Sequence, residues 1–271
     1  MAKLLNAPVK YFGGKGTMWG KISSFFPEKG TYTTYIEPFS GAYSVGLKAC
    51  ADIPNEIYND LEPNVYSLYK TLTDEDLYNE FKLRCDLTFY SEDLRREYKK
   101  RLEEDKDLSL IDRAYMYFYL NRINRNGIGG MSINLMPRRG MAKCTSDFLS
   151  AIERLPELHE RLKKVNVLNK DGIELIKEHD NDQTLIYCDP PYDWSTRTST
   201  RYKVDMNGEM QNKFLDTVIN SKAKILISGY DCERYKILEE NGFEKINFNV
   251  VVYSGNNNES KEKTETLWKN Y

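Results

Sequence analysis

Apolar residues along this chain fall into two recurring patterns: short unbroken runs bounded by turn residues, and longer stretches with helical spacing. Val9-Lys-Tyr-Phe12 leads into Gly13-Gly-Lys-Gly16, and an amphipathic stretch with Met18, Trp19, Ile22, Phe25 and Phe26 stops at Pro27. Tyr35-Ile-Glu-Pro-Phe39 reads as a short strand. It is followed by Ser40-Gly-Ala42 and a helical run with Val45, Leu47, Ala49 and Ala51. Glu56-Ile-Tyr58 is a second strand that ends in Asn59-Asp60. Strands alternating with helices imply a parallel sheet.

Residues 71–160 change character. Three helical patterns lie near 74–86, 91–104 and 109–121, followed by the glycine-rich segment Asn121-Arg-Ile-Asn-Arg-Asn-Gly-Ile-Gly-Gly130. There Asn126-Gly127 marks a tight turn, and polar residues alternate with Ile123, Ile128, Met131, Ile133 and Leu135. Without strand and helix alternation, this region reads as an insertion in the sheet. The alternation resumes with strand 164–168, helix 171–178 and strand 184–188. A polar loop to about 208 precedes helix 209–220, strand 223–228 and helix 231–241. Two terminal strands, 245–253 and 264–270, flank the polar loop Ser254-Gly-Asn-Asn-Asn-Glu-Ser260. The expected fold is α/β, divided as 1–70, 71–160 and 161–271.

Composition changes this picture little. With 271 residues, 40% hydrophobic and 30% charged, the chain reads as an ordinary globular protein, although 20 tyrosines lift its aromatic share to 13%. No apolar run reaches the roughly 18 residues of a membrane span, and Met1-Ala-Lys-Leu-Leu-Asn lacks the apolar stretch of a signal peptide. Cys50, Cys85, Cys144, Cys188 and Cys232 are scattered without metal-site spacing, which favours a reducing, cytoplasmic setting and no metal. His159 and His179 lie in charged helical stretches and read as surface residues.

Charge distribution says more than the net charge of −2. From Arg113 to Ser146 the only charged residues are basic (Arg113, Arg122, Arg125, Arg138, Arg139 and Lys143), and Arg197, Arg201 and Lys203 form a second acid-free run. Such patches fit a nucleic-acid groove cut into a near-neutral enzyme. A solvated face that happens to be basic is the plainer alternative.

The candidate chemistry centres on Leu185-Ile-Tyr-Cys-Asp-Pro-Pro-Tyr192, a buried strand running into Asp189-Pro190-Pro191-Tyr192. The prolines fix φ and hold their preceding residues extended. A stiff segment therefore presents a carboxylate, backbone carbonyls and an aromatic face. That set suits the exocyclic amine and ring of a nucleobase, although an acidic turn after a strand has the same composition. Near the N-terminus, Phe39-Ser-Gly-Ala42 follows a strand and Asp60 closes the next, 19 residues after Gly41. That distance suits an acid that binds ribose hydroxyls. Gly13-Gly-Lys15 lacks the spacing of a phosphate-binding P-loop.

Lys10-Tyr-Phe-Gly-Gly-Lys15, Glu37-Pro-Phe-Ser-Gly41, Asn59-Asp60, Asp171 and Asp189-Pro-Pro-Tyr192 occur in this order. Together they resemble the Dam-like family of DNA adenine-N6 methyltransferases over essentially the whole chain. The resemblance implies a Rossmann-like methyltransferase sheet with a C-terminal antiparallel hairpin. It also makes the mostly helical insertion a target-recognition region. S-adenosylmethionine is the implied cofactor, and its pocket takes Tyr11, Gly13, Gly14, Lys15, Glu37, Pro38, Phe39, Ser40, Gly41, Asp60, Leu61, Asp171, Gly172 and Asp189. Asp60 would hold the ribose and Asp171 the cofactor's adenine amine.

Asp189 and the Pro190 carbonyl would accept from the target amine, and Tyr192 would stack on a flipped adenine in duplex DNA. Arg122, Asn124, Arg125 and Asn126 are candidate base readers, with Arg138, Arg139, Lys143, Arg197 and Arg201 candidate backbone contacts. Two departures stand out. Tyr43 occupies the place of a second glycine, and Gly172 that of a common phenylalanine. Cytosine-N4 or RNA amine methylation, and an inactive DNA-binding relative, are the alternatives. A monomer is expected.

Overall fold

The structure, a computed structural model, describes residues 5–11, 13–50, 52–196, 204–253 and 260–271. Besides a short antiparallel pair, Pro137–Arg138 with Met141–Ala142, seven strands are present among the described residues: β1 Thr34–Glu37, β2 Asn55–Asn59, β3 Val165–Leu168, β4 Thr184–Cys188, β5 Lys224–Gly229, β6 Glu244–Tyr253 and β7 Ser260–Lys269. They form one sheet in the order β3-β2-β1-β4-β5-β7-β6. Pairs β1–β2, β1–β4 and β4–β5 are parallel, while β7 runs antiparallel to both β5 and β6. The expected mostly parallel, Rossmann-like sheet with a C-terminal antiparallel hairpin is therefore present. All five residues of β4 are buried, which explains its unbroken run of Leu185, Ile186 and Tyr187. A central parallel strand has no solvent face.

Contacts divide the chain into two compact units. The first comprises Met1–Ser23, Gly41–Asp52 and Glu62–Asn169, and the second comprises Ser24–Ser40, Ile53–Leu61 and Lys170–Tyr271. The first is dominated by helices α1 Pro63–Thr73, α2 Glu75–Asp86, α3 Glu92–Glu104, α4 Leu110–Ile123, α5 Lys143–Ile152 and α6 Leu155–Leu162. Their starts are marked in the sequence. Glu62, Asp74, Ser91 and Ser109 each cap a helix by accepting from a first-turn N–H, and Pro63 opens α1 where its missing N–H costs nothing. Helix α4 buries Ile111, Ala114, Tyr115, Met116, Phe118, Tyr119, Leu120 and Ile123, so it forms the centre of this unit. Helix α3 has no fully buried residue and carries Glu92–Arg96, Glu103–Lys99 and Asp105–Arg101 pairs one turn apart.

Several expectations need correction. The helix expected to end at Pro27 is only Trp19–Ser23, and that expected at 231–241 is a 3₁₀ turn, Glu233–Tyr235, followed by Lys236–Glu240. The last strand starts at Ser260 instead of 264. Pairing of β5 with β7 ends at Gly229–Thr266, so the earlier residues of β7 pair only with β6. A two-stranded arm needs no apolar stripe and leaves no hydrophobic signal.

Helix α5 was not expected, and α6 only as a charged helical stretch around His159. Helix α5 starts without a side-chain cap, and its first turn, Lys143-Cys-Thr-Ser, has low helix propensity. His159, expected at the surface, is buried on α6. Its Nδ1 lies 2.8 Å from the Leu72 carbonyl and its ring stacks on Tyr78, with centroids 3.9 Å apart. It fills the fourth place of an apolar stripe with Leu155, Leu158 and Leu162. Among the described residues no helix is long and apolar enough to cross a membrane, and no cluster of His, Cys, Asp and Glu suits a metal ion.

Candidate active site

The second unit holds the Asp189–Tyr192 tetrad. Strands β1 and β4 are neighbours, with Thr34–Thr184 to Ile36–Ile186 in register, so both chains leave the sheet at the same edge. The chain passes from β1 to β2 on one side, while β4 pairs with β5 on the other. This reversal makes the carboxyl ends of β1 and β4 the place where an open α/β sheet holds a ligand.

At the end of β1, Glu37 is buried and its Oε1 accepts from Tyr35 at 2.7 Å. Ser40 donates to the Glu37 carbonyl at 2.7 Å and accepts from the Asn59 N–H at 3.1 Å. Asn59 ties three segments together. Its Nδ2 donates to the carbonyls of Pro38 (2.8 Å) and Lys170 (2.9 Å), and its Oδ1 accepts from the Lys170 N–H at 2.8 Å. One fully buried carboxamide thus fixes Pro38, Asp60 and Asp171 relative to one another. Asp60 is buried, whereas Leu61 is exposed.

Asp171 caps helix α7, Gly172–Glu178, accepting from the Ile173 and Glu174 N–H groups through Oδ1 alone. Gly172 has no room for a side chain. A Cβ there would come within 2.6 Å of the Phe39 ring and 3.0 Å of the Pro38 carbonyl. Phe39, itself edge-on to Phe214, fills the space that a residue-172 side chain would need.

The tetrad is held from behind. Tyr187 donates to Ser228 at 3.0 Å, and Ser228 donates to Asp189 Oδ1 at 2.9 Å. Gln211, from α8 (Gly208–Ile219), donates to the Pro191 carbonyl at 2.7 Å and accepts from Tyr235 at 3.1 Å. Tyr192 is buried, packs edge-on to Tyr230 with centroids 4.8 Å apart, and donates its hydroxyl to the buried Glu265. Burial, reinforced by the Asp189 and Glu265 carboxylates, pushes the Tyr192 hydroxyl well above its usual pKa, so it keeps its proton. Beyond the tetrad, Asp193 accepts from Ser195 and pairs with Arg234 at 2.7 Å.

The remaining expected residues lie in the first unit. The Tyr11 ring lies against Gly41, where a Cβ would fall 2.7 Å from it, and Gly41 has φ +49°. Lys15 is buried and donates to the Gly13 carbonyl at 3.1 Å, while Gly13 and Gly14 are exposed. Tyr43 takes φ 52°, a left-handed backbone that favours glycine. Its buried ring packs edge-on to Tyr69.

Of the expected DNA contacts, Arg122 and Asn124 are engaged internally. Arg122 donates to the Ala7 carbonyl at 3.1 Å, and burial beside Arg154 pushes its guanidinium down to about 10. Buried Asn124 accepts from Arg95 at 2.6 Å. Arg125 and Asn126 are exposed on a 3₁₀ turn. Arg138 and Lys143 both pair with Asp147, and Arg139 pairs with Glu153 at 2.7 Å. Ile128, Ile133 and Leu135, which the sequence offered as alternating apolar positions, are exposed, as is Met136. Arg197 and Arg201 lie outside the described residues.

Comparison with known proteins decides the assignment. The family profile of D12 class N6 adenine-specific DNA methyltransferases matches residues 11–254. The chain belongs to this family. The type II methyltransferase M.MjaIII of Methanocaldococcus jannaschii is 25% identical over 239 residues, covering 81% of this chain and 82% of its own length. The DNA adenine methylase of Haemophilus influenzae is 27% identical over 241 residues, covering 84% and 81% respectively. That of Escherichia coli K12 is 28% identical over 187 residues, covering 68% and 64%. As a D12 class methyltransferase, the protein is an S-adenosylmethionine-dependent enzyme acting on adenine N6 in DNA. Ser228, Gln211 and Glu265 had no role in the sequence reading, and Asn59 entered it only as the motif residue before Asp60, because each acts through a partner distant along the chain. Only Glu265, an acid beside Thr266-Leu267-Trp268, breaks a local pattern.

Proposed function

We propose that Asp189, Pro190, Pro191 and Tyr192 form the clamp that receives an adenine flipped out of duplex DNA. The observation that carries this reading is the Tyr187–Ser228–Asp189 hydrogen-bond chain. It holds Oδ1 from the protein side and so orients the carboxylate. The Gln211 bond occupies the Pro191 carbonyl, so the Pro190 carbonyl is the second acceptor.

An adenine amine is a weak nucleophile because its lone pair is delocalised into the ring. Two acceptors, Asp189 and Pro190, favour a pyramidal nitrogen and localise that pair. Tyr192 holds the ring by stacking, worth about 1–3 kcal/mol per base. When bound, the cofactor supplies a sulfonium methyl group. As the N–C bond forms and the C–S bond breaks, the nitrogen sheds a proton, and Asp189 is the carboxylate within reach. Positioning and electrostatics carry the rate.

The cofactor fits the residues present. Buried Asp60 and the exposed-facing oxygen of the Asp171 cap offer acceptors for ribose hydroxyls and an adenine amine. Glu37, Pro38, Phe39, Ser40 and Gly172 fix the strand ends, and the Tyr11–Gly41 contact, Gly13, Gly14 and Lys15 supply the N-terminal part. The insertion, residues 71–160, serves target recognition. Arg125 and Asn126 are the solvent-facing base readers, Arg122 and Asn124 support them, and Arg138, Arg139 and Lys143 meet phosphates. The chain acts as a monomer in the cytoplasm, where it reaches DNA.

Digestion of DNA after incubation with enzyme and S-adenosylmethionine, with mass identification of the nucleosides, tests the reaction. N6-methyldeoxyadenosine alone is expected, and N4-methyldeoxycytidine or no product would overturn the reading. Two substitutions test the parts. Ser228→Ala should lower turnover by about ten- to a hundredfold, the value of one hydrogen bond to a carboxylate; unchanged turnover would mean that Asp189 is oriented otherwise. Arg139→Ala should weaken all DNA sequences alike and flatten the salt dependence of binding by less than about one logarithmic unit, since Glu153 already screens the cation. A changed sequence preference would instead make Arg139 a base reader.

A further inference from the structure

Glu265 is a carboxylate only 3% exposed, on the strand that joins the terminal hairpin to the sheet. In the β5–β7 register Thr266 faces Gly229, so Glu265 lies one step beyond, where Tyr230 leaves β5. Across the hairpin it faces Phe248, and its strand neighbours Thr266, Leu267 and Trp268 are all buried. Such a position favours an apolar residue. A buried carboxylate loses its hydration, and well-packed apolar side chains usually stabilise a fold as well or better. Folding alone therefore does not account for it.

Its Oε1 accepts from the hydroxyl of Tyr192, whose ring is also held edge-on by Tyr230. The two contacts act on different parts of the side chain, one on the hydroxyl and one on the ring, and together they fix its plane. From these contacts we infer that Glu265 is a positioning residue for methyl transfer: it holds the Tyr192 ring against the target base and keeps the ring electron-rich. This rests on the reading of Tyr192 as the stacking platform. A phenol that donates to a carboxylate carries more electron density over its face, which strengthens its attraction for the positive charge passing from sulfur to nitrogen. The raised pKa of Tyr192 agrees, because the hydroxyl stays a donor throughout the working pH range.

The test is a double-mutant cycle of Glu265→Gln, Tyr192→Phe and the pair together. Turnover is measured with labelled S-adenosylmethionine and DNA from a methylation-deficient host, well below the melting temperature. Each single variant should lower kcat about tenfold while KM for cofactor and DNA moves less than about threefold, and the double variant should match the singles. Wild-type kcat in Glu265→Gln, or losses that multiply in the double variant, would overturn the inference. A purely structural Glu265 would instead lower the melting temperature and raise both KM values without a kcat effect, which also overturns it. If Glu265→Gln gives no folded protein by circular dichroism, Tyr192→Phe decides, since it removes only the hydroxyl: a tenfold loss of kcat supports the inference and wild-type kcat sinks it. Tyr192→Ala separates the two levels. Full turnover there overturns both the stacking platform and its support. Loss there beside full turnover in Glu265→Gln removes Glu265 alone.

Discussion

Asp189→Ala should reduce methyl transfer by at least about a thousandfold while leaving the fold and cofactor binding in place. The size of the effect follows from what the carboxylate does at the nitrogen. In the proposed clamp it is the charged one of two acceptors that localise the lone pair, and the group that takes the proton released on methylation. Both contributions grow as charge develops, so they appear in kcat. The fold should survive because Asp189 lies just past β4, half-buried, with Ser228 as its hydrogen-bond donor. Alanine removes that acceptor, but Ser228 still accepts from Tyr187. Transfer of labelled methyl groups, with circular dichroism as control, checks this. Turnover near that of the wild type would sink the clamp as the catalytic centre.

Asp60→Ala should remove most of the rise in melting temperature that S-adenosylmethionine produces. Asp60 is buried at the end of β2, next to the Asn59 carboxamide that ties its strand to Pro38 and Lys170. Its backbone is fixed whether or not its side chain is present. The loss should therefore fall on the ligand and not on the pocket's shape. At a cofactor concentration near 100 Kd, binding stabilises the native state by about 2.7 kcal/mol. For a chain of this size that is a rise of roughly 5–10 °C. A hundredfold loss of affinity, about the value of two hydrogen bonds to a carboxylate, leaves about 0.4 kcal/mol and a rise of 1–2 °C. The measurement is the difference between scans with and without cofactor for each protein. An undiminished rise in the variant would place the ribose elsewhere.

The places of most strands along the chain and the position of the tetrad were legible because both depend on local patterns. A buried strand shows as an unbroken apolar run, and Asp-Pro-Pro-Tyr is stiff by its covalent structure. Strand-end acids were legible for the same reason, since Asp60 follows its strand directly. Side chains that support them were not. Ser228 reaches Asp189 across 39 residues and Glu265 reaches Tyr192 across 73, and no periodicity in one segment encodes a partner in another. His159 was misread because its charged neighbours suggest a surface, although its spacing from Leu155 and Leu158 is that of a core stripe. The ion pairs of the basic run were hidden in a different way. The acids that neutralise Arg138, Arg139 and Lys143 stand just past its end, at Asp147 and Glu153, on a helix whose weak start concealed it. Gly172 looked like a defect in the family pattern until Phe39 was found in the space it leaves.

Those ion pairs on α5 bear on how long the enzyme stays on its substrate. A phosphate that approaches Arg138, Arg139 or Lys143 must displace a carboxylate of the same chain, so each contact releases less counterion than a bare cation would. The grip on arbitrary sequence is weaker than the number of basic side chains suggests. Residence on any one stretch shortens, and sliding and hopping toward the next site quicken. If the phosphate contacts proposed for Arg138, Arg139 and Lys143 form, Asp147 and Glu153 set the pace of the search for a site.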